Sequence, residues 1–61
     1  MITKEQLETI DHAFERAIEI VRPLVAELRQ SDGIHADCYA LSAWGDLIFG
    51  ANKINKAKEL V

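Results

Sequence analysis

Residues 28–36 read Leu28-Arg29-Gln30-Ser31-Asp32-Gly33-Ile34-His35-Ala36, and the fold turns on the middle of this stretch. Ser31-Asp32-Gly33 is the one cluster of turn-forming residues in the chain. Gly33 suits the left-handed position that closes a helix, and Asp32 or Gly33 can lead into the next one. A connection this short makes the two helices it joins antiparallel neighbours.

Working back from the turn, the spacing predicts a first helix over about residues 4–30. Thr3 is a good N-cap, and Gln6 three residues on completes a capping box. Ile2 and Leu7 stand at the staple positions on either side of that cap, and Glu5 and Glu8 set negative charge against the helix N-terminus. Apolar residues then recur at alternating steps of three and four: Leu7, Ile10, Phe14, Ala17, Val21, Leu24, Leu28. That is a heptad seam with a period of about 3.5 residues. The other side (Glu5, Glu8, His12, Glu15, Arg16, Glu19, Arg22, Arg29) reads as a solvated face. Pro23 lacks the N–H that would bond the Glu19 carbonyl, which predicts a kink. The seam keeps its phase across the proline, so the helix is expected to bend there and continue.

Forward from the turn, a second helix is expected over about residues 34–60. Asp37 lies near its start and Lys53, Lys56 and Lys58 near its end, both favourable to the helix dipole. Its seam is Ala36, Ala40, Ala43, Leu47, Gly50, Ile54, Ala57, Val61, mostly small residues. Folding the chain at the turn sets Leu28 beside Ala36, Leu24 beside Ala40, Val21 beside Ala43 and Ala17 beside Leu47. Phe14 then meets Gly50, Ile10 meets Ile54 and Leu7 meets Ala57. Large faces small at nearly every layer, which fills space without voids. Gly50 costs about 1 kcal/mol of helix propensity relative to alanine; room for the Phe14 ring accounts for it.

A second apolar set has no place in that seam. Ala13, Ile18, Ile20 and Val25 on the first helix, and Ile34, Cys38, Leu41, Gly45 and Ile48 on the second, form a patch that marks an association site. The fold class expected is therefore all-α: a single domain over residues 1–61, an antiparallel two-helix hairpin with its turn at 31–33, dimerising into a four-helix bundle. Ile18, Ile20, Val25, Ile34, Cys38, Leu41 and Ile48 are the expected dimer interface. Trp44 lies on the apolar side, as core, dimer interface or partner contact. Tyr39 and Phe49 lie toward the edges of the polar arc, where an exposed aromatic side chain can anchor a second partner. Arg22 and Arg29 would supply charged contacts at its rim.

Composition supports this outline. Sixty-one residues with 49% hydrophobic content make one small globular domain, not a disordered segment. A chain this short usually needs disulfides, a metal or a partner subunit to fold. The single cysteine excludes an internal disulfide, and no clustered Cys/His set suggests a structural metal, which leaves oligomerisation. The net charge of −3 and pI near 5.2 argue against nucleic acid as partner. The N-terminus is no signal peptide, no apolar run is long enough to span a membrane, and one unpaired thiol suits the cytoplasm. Met1 ahead of a capped helix reads as the start of a complete chain.

Catalytic constellations are not expected. His35 and Cys38 could share a helical face as metal ligands, but a pair without a third ligand is better read as a solvated histidine and a structural thiol. His12 sits among Glu8, Glu15 and Arg16 on the outer face. Pairs such as Asp11 and Glu15, or Glu15 and Glu19, read as ordinary surface charges with no pocket to shift their pKa. No phosphate loop, nucleophile elbow or triad is present. No cofactor or metal is expected, and the chain reads as no enzyme.

The layout of two heptad helices of similar length, a short acidic turn and small residues along the second helix resembles the plasmid repressor-of-primer family. That resemblance implies a dimeric four-helix bundle that binds paired RNA loops. The family's RNA contacts lie on helix 1 and are polar and basic, whereas here Glu5, Glu8, Glu15 and Glu19 dominate that face and Phe14 belongs to the seam. No RNA site is carried over. The function expected is that of a homodimeric protein that binds and modulates another protein, in the format of small phage or plasmid regulatory adaptors and inhibitors. The alternatives are a dimer binding RNA or DNA through Arg16, Arg22, Arg29, Lys53, Lys56 and Lys58, and a structural subunit of a larger assembly.

Overall fold

The computed structural model describes residues 1–30 and 35–61, with the side chain of His35 left aside. Within them the protein is all-helical. Helix α1 runs Lys4–Gln30 and helix α2 runs His35–Glu59, packed against each other as an antiparallel hairpin. The turn expected at Ser31-Asp32-Gly33 and the interface role expected of Ile34 lie outside the described residues.

α1 begins in the capping box. The Thr3 N–H donates to Gln6 Oε1 at 2.8 Å, and the Gln6 N–H donates to Thr3 Oγ1 at 3.1 Å. The Leu7 N–H then donates to the Thr3 carbonyl at 3.1 Å, the first bond of the helix ladder. Two orphan donors of the first turn are thereby satisfied by one reciprocal pair of side chains. The helix continues through Pro23 without a break. α2 ends in a tighter turn, with the Leu60 N–H donating to the Ala57 carbonyl at 3.1 Å.

Phe14 and Gly50 meet as the layer matching requires. A Cβ added at Gly50 would lie 2.8 Å from Phe14 Cε1 and 3.2 Å from Cζ, so the ring occupies the space a side chain would take. Gly45, one helical turn and a half earlier, has nothing within 4 Å of the same point. The two glycines of α2 should therefore respond oppositely to alanine. Gly45→Ala is expected to stabilise by about 1 kcal/mol, the propensity difference alone. Gly50→Ala gains the same amount but overpacks the ring at a cost of about 1–3 kcal/mol, so the net change is neutral to destabilising. In a Phe14→Leu background Gly50→Ala should become stabilising. Chemical denaturation of the set decides it: equal gains at both glycines in the wild-type background would mean that Phe14 does not press on α2.

The line along which the helices touch is rotated from the expected seam. In heptad lettering with Leu7 at a, the contact on α1 runs through a and e. Leu7 is 3% exposed and Val25 7%, with Phe14 and Ile18 half-buried between them. Leu24, at d, is 51% exposed. Leu24 and Val25 thus exchange the places foreseen for them: Val25 belongs to the hairpin's own core, not to a surface left for a second molecule. The cause is geometric. Two helices in contact share a line, and an apolar stripe 100° or more wide cannot all fit beneath it.

Asp11 is a second correction. It is an e residue on the contact line, and its carboxylate bonds the Lys58 ammonium at 3.0 Å with only 13% of the Asp11 side chain exposed. The expected surface charge is an interhelix clasp between residues 47 apart in sequence. The hydrogen bond to Asp11 is the main reason the Lys58 pKa is raised; desolvation opposes it, and the fields of Asp11, Glu8 and Glu15 add to the rise. The pair joins α1 near its start to α2 near its end, which ties the antiparallel alignment at the open end of the hairpin.

Candidate functional site

The contact line leaves Leu24 of α1 and Ala43 of α2 exposed on one side of the hairpin. They line an open apolar groove of about 650 Å³ over the half of the molecule nearer the turn. Val21, Leu24 and Leu28 form its α1 wall, and Ala40, Ala43, Trp44 and Leu47 its α2 wall, with Glu27 and Asp37 at the edge. A second, shallower depression of about 210 Å³ adjoins at Leu47 and is lined also by Ala13, Phe14 and Ala17. The two share Leu47, so the groove extends past the middle of the hairpin. Its lining is nearly the seam that the heptad pattern singled out, open where a closed contact was expected.

The structure distributes the other expected contact residues as follows. Ile18, Leu41 and Ile48 are half-buried, while Ile20 and Cys38 are exposed. Trp44 is half-buried in the groove wall. Tyr39 and Phe49 are exposed on α2, at 77% and 62%. The Lys53 ammonium lies 4.8 Å from the centroid of the Phe49 ring, a cation–π contact one helical turn along. Arg22 and Arg29 are exposed on α1. Of these residues the groove brings in Trp44 alone.

Leu24 and Ala43, assigned by sequence to the hairpin's interior, are exposed, while Val21, Leu28, Ala40 and Leu47 of the same seam are half-buried along the groove. One signal pointed to them. An a/d seam is the central seam of a bundle, and a bundle of four helices presents it to two neighbours and not to one.

Two charged pairs are local to the outer face of α1. Arg16 pairs with Glu19 at 3.4 Å, and His12 Nδ1 lies 3.8 Å from Glu15 Oε2, all four side chains well exposed. Pairs of this kind contribute about 1 kcal/mol or less. Among the described residues no group of three or more His, Cys, Asp or Glu side chains is placed to hold a metal ion. No described helix is long and apolar enough to cross a membrane. No protein-family model, curated protein sequence or solved structure matches this chain.

Proposed function

We propose that this chain is a non-enzymatic, homodimeric interaction protein that binds another protein and modulates it in the manner of a small inhibitor or regulatory adaptor, acting in the cytoplasm. The observation that carries the reading is that apolar surface is left in water in two separate places. One is the groove between the helices. The other is the flank of α2 where Phe49 stands 62% exposed beneath the Lys53 ammonium. A small chain has reason to keep one such surface for its own assembly; a second invites a different partner. In this reading dimerisation completes a four-helix bundle, and Phe49, with Tyr39, Trp44, Arg22 and Arg29, contributes to partner recognition.

The nucleic-acid alternative has less support from the geometry. Arg16 is paired with Glu19, Lys58 with Asp11, and Lys53 lies over Phe49. Three of the cations it would bring to phosphates are already held by neighbours, on a chain of net charge −3.

Capture from a lysate of the source cells, followed by binding of each captured protein to purified wild type and Phe49→Ala, tests the proposal. The expected result is a discrete protein bound directly by the wild type and at least tenfold more weakly by Phe49→Ala, with the dimer mass unchanged. Equal binding by both proteins would remove Phe49 from the recognition surface. Direct binding of nucleic acid in place of any protein would replace the reading.

A further inference from the structure

We propose that the groove is the seat of a second copy of this chain, which places the dimer interface on Leu24, Ala43 and the groove walls around them; the inference rests on the homodimeric reading above and assigns it a surface.

On α1 the e residues Ile18 and Val25 face α2, and on α2, lettered with Ala40 at a, the e residues Trp44, Ala51 and Lys58 are half-buried counterparts. Successive residues are about 100° apart around a helix, so each d position lies roughly a right angle from the e position beside it. That is the angle between the two neighbours of any helix in a square four-helix bundle. The direction in which a second neighbour belongs is thus where Leu24 and Ala43 point. Ile20, at g, lies on the rim of the same side, so the two most exposed aliphatic residues within α1 fall together there. Phe49, at c, lies about 200° from e, on the side of α2 away from α1. A copy seated in the groove leaves it uncovered.

The area agrees. A compact protein of 6.9 kDa exposes about 4,000 Å² by the usual scaling of surface with mass. This hairpin exposes 4980 Å² and measures 44 × 16 × 14 Å. The excess of roughly 1,000 Å² is close to the 800 Å² or so that each partner contributes to a stable interface of ordinary size. Laying one rod along another, groove to groove, removes it.

The groove is also suited to its own copy. One wall carries Val21, Leu24 and Leu28, and the facing wall carries Ala40 and Ala43 with Trp44 and Leu47 after them. A two-fold axis along the groove sets the α1 wall of each molecule over the α2 wall of the other, so the branched side chains of Leu24 and Leu28 meet the room left at Ala40 and Ala43. A dissimilar helix would have to reproduce that match.

Analytical ultracentrifugation of the full chain tests this with Leu24→Glu, Ala43→Glu and Phe49→Glu. Leu24 and Ala43 are exposed in the hairpin, so glutamate there removes nothing from the packing of α1 on α2. The wild type is expected at twice the 6.9 kDa chain mass, with a thermal midpoint that rises with concentration. Leu24→Glu and Ala43→Glu should each weaken the dimer by about a hundredfold or more, because a carboxylate is shut into an apolar seam. Phe49→Glu should leave its mass and concentration dependence unchanged. A dimer that survives both groove variants overturns the assignment of the face and leaves the homodimer standing. A wild type that stays at the monomer mass to millimolar concentration overturns the homodimer itself, and capture of a partner protein then judges the interaction reading independently.

Discussion

Val25→Asp is expected to abolish the helical circular-dichroism signal at 25 °C, while Ala26→Asp, one residue on, retains it. Val25 is 7% exposed, pressed between the helices, whereas Ala26 is exposed. In helix propensity Val25→Asp is nearly neutral and Ala26→Asp costs below about 1 kcal/mol, so propensity alone would make the second change the worse one. Only the first shuts a carboxylate away from water with no partner, which costs about 3–5 kcal/mol. A domain of this size has roughly 0.05–0.15 kcal/mol of net stability per residue, so the larger penalty consumes most or all of it. The comparison is a direct test of helix rotation. If both variants lose helicity equally, α1 is not turned with Val25 inward, and the groove built on the outward direction of Leu24 goes with it.

The second large effect is expected at Leu7. At 3% exposure it is the most deeply buried apolar side chain among the described residues, and Leu→Ala at such a site costs about 2–5 kcal/mol. Its position makes a useful internal comparison, since its N–H donates to the Thr3 carbonyl in the turn that the capping box closes. Thr3→Ala removes the cap at a cost of about 1 kcal/mol without touching the packing. Urea denaturation of both variants should show the Leu7→Ala midpoint falling two to five times as far as that of Thr3→Ala, with similar slopes. Similar falls would mean that the N-terminal end of α1 is held by its cap and not by α2.

These two residues also show how far the sequence could be followed. The start of α1 was legible to the atom. Thr3 and Gln6 are three apart in a chain about to become helical, and the reciprocal bonds they form depend on nothing beyond that turn. Leu7 as a packed residue and Phe14 opposite Gly50 were legible for a related reason. A heptad pattern on each side of one turn aligns the layers, and a glycine in the middle of a helix needs a bulky neighbour to explain it. Leu24 and Val25 were not legible. They are adjacent and both apolar, and they differ only in which way the helix is rolled about its axis.

Asp11 and Lys58 fall on the same side of that line. Nothing in the local sequence of either marks a bond between them, because each sits among residues of like character on its own helix. Their contact exists only once the open end of the hairpin has been closed.

What the amino-acid order determined by itself is therefore everything that repeats along the chain: helix, cap, antiparallel alignment of layers, and the presence of more apolar stripe than one contact line can cover. Those properties follow from hydrogen bonds spanning three or four residues and from a period of about 3.6, both contained within a single segment. The tertiary structure decided the roll of each helix about its own axis. That choice sent Val25 inward and Leu24 outward, drew Asp11 onto Lys58, and opened the wall of Ala40 and Ala43 to water. Roll is settled by the packing of two surfaces against each other, and a few tens of degrees exchange neighbouring apolar residues that no one-dimensional pattern can tell apart.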